Sequence, residues 1–140
     1  MKLIEVKETI IHITQHNQED YICLTDMLKH KDNNGLIFKW LSNKSTVEFL
    51  GVWEKIYNPN FNYTEFGVIM SEAGVNRFTL SVKEWIERTN AIGIVAKTGR
   101  YGGTYAHKDI AFEFGTWISP EFKLLLIREF QRLKEIEANH

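Results

Sequence analysis

The sequence predicts an α+β fold, and three observations predict it. β-branched residues alternate with polar ones near the N-terminus, short apolar segments at helical spacing fill the middle, and a basic, glycine-rich turn leads into helices that run to the end. The expected order is an N-terminal β-hairpin, several short helices, a glycine-rich β-hairpin and a long C-terminal helix. With 140 residues, 44% apolar and 25% charged, the chain is long enough to bury one core and is read as a single domain over 1–140.

The first strand is expected within Glu5 to Gln15, where Ile11 and Ile13 alternate with His12 and Thr14. HNQED at 16–20 reads as a turn, and Tyr21 to Leu24 as the return strand. Thr25 is placed as the N-cap of a short helix, TDMLKHK, which Asp32-Asn33-Asn34-Gly35 ends. Leu36 with Trp40, and Ile37 with Leu41, lie four apart and share one face of a second helix from which Lys39 projects.

Ser45 and Glu48 match a capping box, so a third helix is expected to run through Phe49, Leu50, Trp53 and Ile56 until Asn58-Pro59. Glu65 to Ala73 is expected to be helical, with Gly74 just beyond. Ser81 and Glu84 repeat the capping-box pattern before Val82, Trp85 and Ile86. Ile110, Phe112, Phe114, Trp117 and Ile118 follow the hairpin as a largely buried helix. Ser119 as N-cap with Pro120 at the first helical position then opens the last helix, Glu121 to about Glu137, which carries Phe122, Leu125, Leu126, Phe130 and Leu133 at helical spacing. Its closing KEIEANH has neither glycine cap nor tail, which is the pattern expected where a longer protein continues.

Net charge is −1, so overall charge offers no argument for a polyanionic partner, and the case rests on local charge. From Asn90 to Lys108 there is no acid, and Lys97, Arg100 and Lys108 give a net +3; Met27 to Val47 carries four lysines against one aspartate, again +3. The glycine-rich segment admits three readings. A solvated hairpin whose glycines satisfy turn geometry is the plainest. A nucleotide-phosphate loop is excluded, because GRYGGT lacks the terminal Gly-Lys-Ser/Thr. In the third, the hairpin lies against nucleic acid: Lys97, Arg100 and Lys108 meet phosphates, Thr98 and Thr104 offer hydroxyls, and Tyr101 and Tyr105 present aromatic faces. Lys39 and Lys44 flank a helix N-terminus and form a possible second contact, against the plainer reading of solvated surface lysines.

Other chemistry is thinly represented. The single cysteine, Cys23, sits in the apolar run YICL and is read as structural; the five histidines make no metal-ligand spacing, and no cofactor or small-molecule substrate is expected. Carboxylates cluster with neither a histidine nor a nucleophilic serine, so no enzyme is expected. No apolar run approaches the roughly 20 residues needed to cross a bilayer, and MKLIEVKETI is not a signal peptide. The expected setting is the cytoplasm, or the nucleoid in a bacterium.

The runs YICLTDMLKH, FKWLSNKSTVEFL, AGVNRFTLSVKEWIERTNAIGIVAKTGRYGGTYAHKDIAFEFGTWISPEF and FKLLLIREFQRLKE together resemble the KilA-N domain of bacterial and phage proteins, over about Tyr21 to Glu135. That family is similar to the fungal APSES DNA-binding domain. The resemblance implies a compact α+β module of winged-helix character that binds double-stranded DNA in proteins of regulatory type. It places the wing on Lys97 to Tyr105, and it places a family segment containing a tryptophan and a Ser-Thr pair on Thr25 to Thr46. A competing expectation is a protein-interaction module, such as an antirepressor or scaffold, forming a homodimer through the C-terminal helix.

Overall fold

The computed structural model describes residues 2–29, 35–75 and 77–139. In chain order its elements are β1 (Lys2–Val6), β2 (Thr9–His16), β3 (Glu19–Cys23), α1 (Leu24–Met27), α2 (Leu36–Leu41), α3 (Lys44–Tyr57), α4 (Tyr63–Ala73), α5 (Val82–Thr89), β4 (Ile94–Lys97), β5 (Gly103–His107), α6 (Lys108–Ile118) and α7 (Pro120–Ala138). The strands form a sheet in the order β1-β2-β3-β5-β4. This is the expected α+β class with its glycine-rich hairpin and long last helix. Two compact units divide the chain, one of residues 1–32 with 97–140 and one of residues 33–96.

In the first unit, β1, β2, β3 and β5 pair antiparallel, with Ile4 opposite Ile11, Ile13 opposite Ile22, and Ile22 opposite Ala106. Alternation sends Ile4, Val6, Ile11, Ile13, Ile22 and Ala106 into the core. The single strand expected over Glu5–Gln15 is in fact broken by a reversal at Lys7-Glu8, with φ of 49° and 65°, and a second reversal follows at Asn17-Gln18, with 53° and 68°. Positive φ at both central residues is the geometry of the tight hairpin turn whose twist matches the strands. Left-handed backbone costs roughly 1–2 kcal/mol per residue without glycine. The pairing of all five residues of β1 and the burial of Ile4 and Val6 offset that cost.

Helices α6 and α7 pack on this sheet and on each other. Ser119 caps α7 as expected, its Oγ accepting from the Phe122 N–H at 3.0 Å, with Pro120 in the first turn. Phe122, Leu126 and Phe130 are buried, each contributing about 1.5–3 kcal/mol. Three apolar residues of the C-terminal helix, through which a homodimer is expected, therefore lie in the protein's own core, while Leu133 is half-buried and Leu124 and Ile136 are exposed. Lys134 bonds Asp20 at 2.8 Å and Glu137 at 2.9 Å, and Lys2 reaches the same two carboxylates. Burial opposes ionisation of Asp20, but the Lys134 bond and the Lys2 charge prevail and hold its carboxyl below the ordinary value.

Thr25, expected as an N-cap, lies inside α1; Cys23 occupies the cap position without a side-chain bond. The strand runs directly into the helix, which turns the Thr25 hydroxyl toward β5 instead. Of the expected stop Asp32-Asn33-Asn34-Gly35, only Gly35 is among the described residues, as the N-cap of α2 with φ 80°; the rest, with Lys31 of the second basic segment, lies outside them.

In the second unit, α2 spans the predicted Leu36–Leu41. Helix α3 starts at Lys44, inside which the expected Ser45–Glu48 box falls, and its cap is Asn43, two residues ahead of the expected Ser45, because Thr46 and Val47 are buried within the helix rather than left at its entrance. The Ser81–Glu84 box does form, with bonds of 3.1 and 3.2 Å. Trp85, fully buried, packs among Phe61 and Phe66. Glu54 is buried as well, accepting from the Ile92 N–H at 3.0 Å, the Gly93 N–H at 2.7 Å and the Asn58 amide at 2.9 Å. Burial raises its carboxyl above the ordinary range despite those three donors.

Candidate nucleic-acid interface

The turn between β4 and β5 is built around its glycines. The Gly102 N–H donates to the Gly99 carbonyl at 3.0 Å, and a Cβ on Gly102 would lie 2.9 Å from the Lys97 carbonyl oxygen. Gly103 has φ +148°, and a Cβ there would come within 3.0 Å of the Thr25 hydroxyl oxygen. Both positions exclude side chains, by space at the first and by conformation and space at the second. The backbone at the tip is accordingly slim and approachable, and Thr98, Arg100 and Tyr101 are exposed on it.

Each cation of the hairpin rests on an aromatic face. The Lys97 ammonium stands 5.4 Å from the centre of the Tyr105 ring and donates to the Thr14 hydroxyl at 3.2 Å. The Arg100 guanidinium lies 5.6 Å from the centre of Tyr101. None of the ion pairs among the described residues involves either cation, so both charges are available to an external anion. Tyr105, expected to offer its ring outward, is fully buried, and its hydroxyl donates to the Tyr101 carbonyl at 2.8 Å. Burial, with Cys23 and Asp26 nearby, keeps that phenol protonated and hence a donor at neutral pH. Burial likewise pushes the Cys23 thiol up to about 11, which leaves it unreactive, as a structural cysteine.

The remaining candidates are dispersed. Thr104 is half-buried, and its backbone N–H donates to the Thr25 hydroxyl at 3.0 Å, seating β5 on α1. Lys108 is the first residue of α6, beyond the far end of β5 and so roughly 16 Å of strand from the tip. Its ammonium lies 3.5 Å from Asp109.

Lys39 and Lys44 belong to the second unit, and both are exposed. The Asn43 side chain turns back to the Lys39 carbonyl at 3.0 Å rather than capping α3. With no acidic residue in its first turn, α3 therefore begins with uncapped amides beside the Lys44 charge.

Sequence reasoning passed over the residues that seat the hairpin. His12 Nδ1 is 2.8 Å from Asp26 Oδ2, which also accepts the His12 backbone N–H at 2.8 Å. The His12 ring lies 4.9 Å from that of Tyr101. Alternation with Ile11 and Ile13 already put His12 and Thr14 on one face of β2, which is the signal that could have found them; for Asp26 the sequence carries none.

Among the described residues no group of three or more histidines, cysteines or carboxylates could hold a metal ion, and no helix is long and apolar enough to cross a membrane. Residues 4–136 match the family described as the KilA-N domain. A stretch of 56 residues is 45% identical to "Protein kilA" of Escherichia phage P1, covering 37% of this chain and 21% of the phage protein. The chain thus corresponds to about a fifth of that relative's length. No solved structure matches it.

Proposed function

Because the chain belongs to the KilA-N domain family, we propose that it is a DNA-binding domain of phage or bacterial regulatory type, contacting duplex phosphates without catalysis through the Lys97–Gly103 hairpin. The observation that carries the reading is the hairpin tip itself. Lys97 and Arg100 lie over Tyr105 and Tyr101, form none of the ion pairs among the described residues, and share a turn whose glycines let backbone amides approach an anion. Lys39 and Lys44, at the uncapped start of α3, are the proposed second contact.

Counterion release supplies the test. Each phosphate neutralised steepens the dependence of log affinity on log salt by about 0.9, so Lys97→Ala with Arg100→Ala flattens the slope by roughly 1.8 on mixed-sequence duplex. An unchanged slope in the double variant refutes the hairpin contact. Lys39→Ala with Lys44→Ala, measured the same way, reports on the second contact separately.

A further inference from the structure

We infer that His12 and Asp26 are positioning residues for the hairpin: Asp26 fixes the His12 ring, His12 fixes the Tyr101 ring, and Tyr101 carries Arg100. The inference rests on the DNA-contact reading of that hairpin and deepens it. All four residues belong to the first unit.

A carboxylate near a cationic, phosphate-binding tip weakens its attraction for an anion, yet Asp26 lies one ring beyond Tyr101. Its geometry accounts for its presence. One oxygen, Oδ2, accepts from both the backbone N–H and Nδ1 of His12, at 2.8 Å each. Two bonds to a single residue fix the imidazole rotamer and make Nδ1 the protonated ring nitrogen.

The imidazole so held lies 4.9 Å from the Tyr101 ring at an angle of 38°. Tyr101 is 45% exposed, so little else restrains it from the solvent side. Its backbone is secured by the Tyr105 hydroxyl on its carbonyl, at 2.8 Å, and its ring supports the Arg100 guanidinium. A free arginine on a glycine-rich turn must be ordered on binding, and that lost freedom weakens affinity; an arginine already seated loses less. Asp26 therefore acts on DNA through two aromatic rings, without touching it.

The sign of one substitution separates this role from plain electrostatics. Asp26→Asn removes a negative charge near the tip, so charge alone predicts tighter binding. Positioning predicts weaker binding, by about fivefold. The measurement is fluorescence anisotropy with the full chain and a labelled mixed-sequence duplex about two helical turns long. His12→Ala, which leaves Asp26 its backbone N–H partner, carries the same expectation and gives an independent answer if the asparagine variant is unstable.

In an Arg100→Ala background the effect of Asp26→Asn should shrink to less than about twofold, since nothing remains to be positioned. Tighter or unchanged binding by both single variants overturns the inference. So does a loss that persists undiminished in the Arg100→Ala background, which marks general structural damage. If Arg100→Ala alone leaves affinity unchanged, the DNA-contact reading of the hairpin fails instead, and the positioning role falls with it.

Discussion

Replacing Glu54 with glutamine tests what holds the segment leading into β4. Three N–H donors, from Ile92, Gly93 and Asn58, converge on two carboxylate oxygens in a buried site. Glutamine presents one acceptor oxygen and one NH₂, so at least one donor is left facing another donor. A buried group so orphaned costs about 1–3 kcal/mol. Burial works against these bonds: it penalises the charged carboxylate and raises its pKa above the ordinary range.

The pH dependence follows from that direction. A raised folded-state pKa means the folded protein binds the proton more readily than the unfolded chain. The stability it confers is therefore fully present below the ordinary value and is lost as pH rises through the raised one. Glutamine has no such slope. Glu54→Gln is expected to cost about 2 kcal/mol near the ordinary carboxylate value, where a protonated carboxyl still keeps an accepting hydroxyl oxygen in the place of the amide NH₂; that is a fall in Tm of roughly 6–10 °C for a chain of this size, with the gap narrowing as pH rises through the raised value. Thermal melts followed by circular dichroism across that range measure it. Equal stability near the ordinary carboxylate value, or a gap that widens as pH rises, refutes the reasoning.

Two further outcomes follow from particular contacts. Gly103→Ala forces a side chain onto φ +148° and against the Thr25 hydroxyl, so Tm should fall by an amount equivalent to about 1–3 kcal/mol and duplex affinity should weaken with it; a variant as stable as the parent contradicts the seat on α1. Asp20 behaves oppositely to Glu54. Its carboxyl is held below the ordinary value, so its contribution is present above that value and lost as pH falls through the folded one. Lys134→Ala should accordingly move the acid-unfolding midpoint to higher pH, and an unmoved midpoint in an acid titration argues against the Asp20–Lys134 bond.

Much of the fold was legible because its signals are local. The Ser119-Pro120 start of α7, the Ser81–Glu84 box and the Leu36–Leu41 spacing each satisfy backbone donors or group apolar faces within a few residues, and all three elements appear where predicted. The reversal at Lys7-Glu8 was not legible, since neither residue favours positive φ and only pairing with β2 imposes it. The Ser45–Glu48 match misled for a related reason: burial of Thr46 and Val47 extends the helix past a plausible local cap.

By itself the sequence determined the α+β class, the family, and the concentration of positive charge and glycine between Lys97 and Lys108, because composition and short-range spacing encode these directly. Only the tertiary structure decided which of those residues act together. It buried Tyr105, set Lys108 beyond the far end of a strand, and brought His12 and Asp26 up to Tyr101 from positions 89 and 75 residues away in the chain. The physical reason is that a sheet joins residues by strand order rather than by sequence distance. The pairing of β3 with β5 is what carries the N-terminal strands to the hairpin.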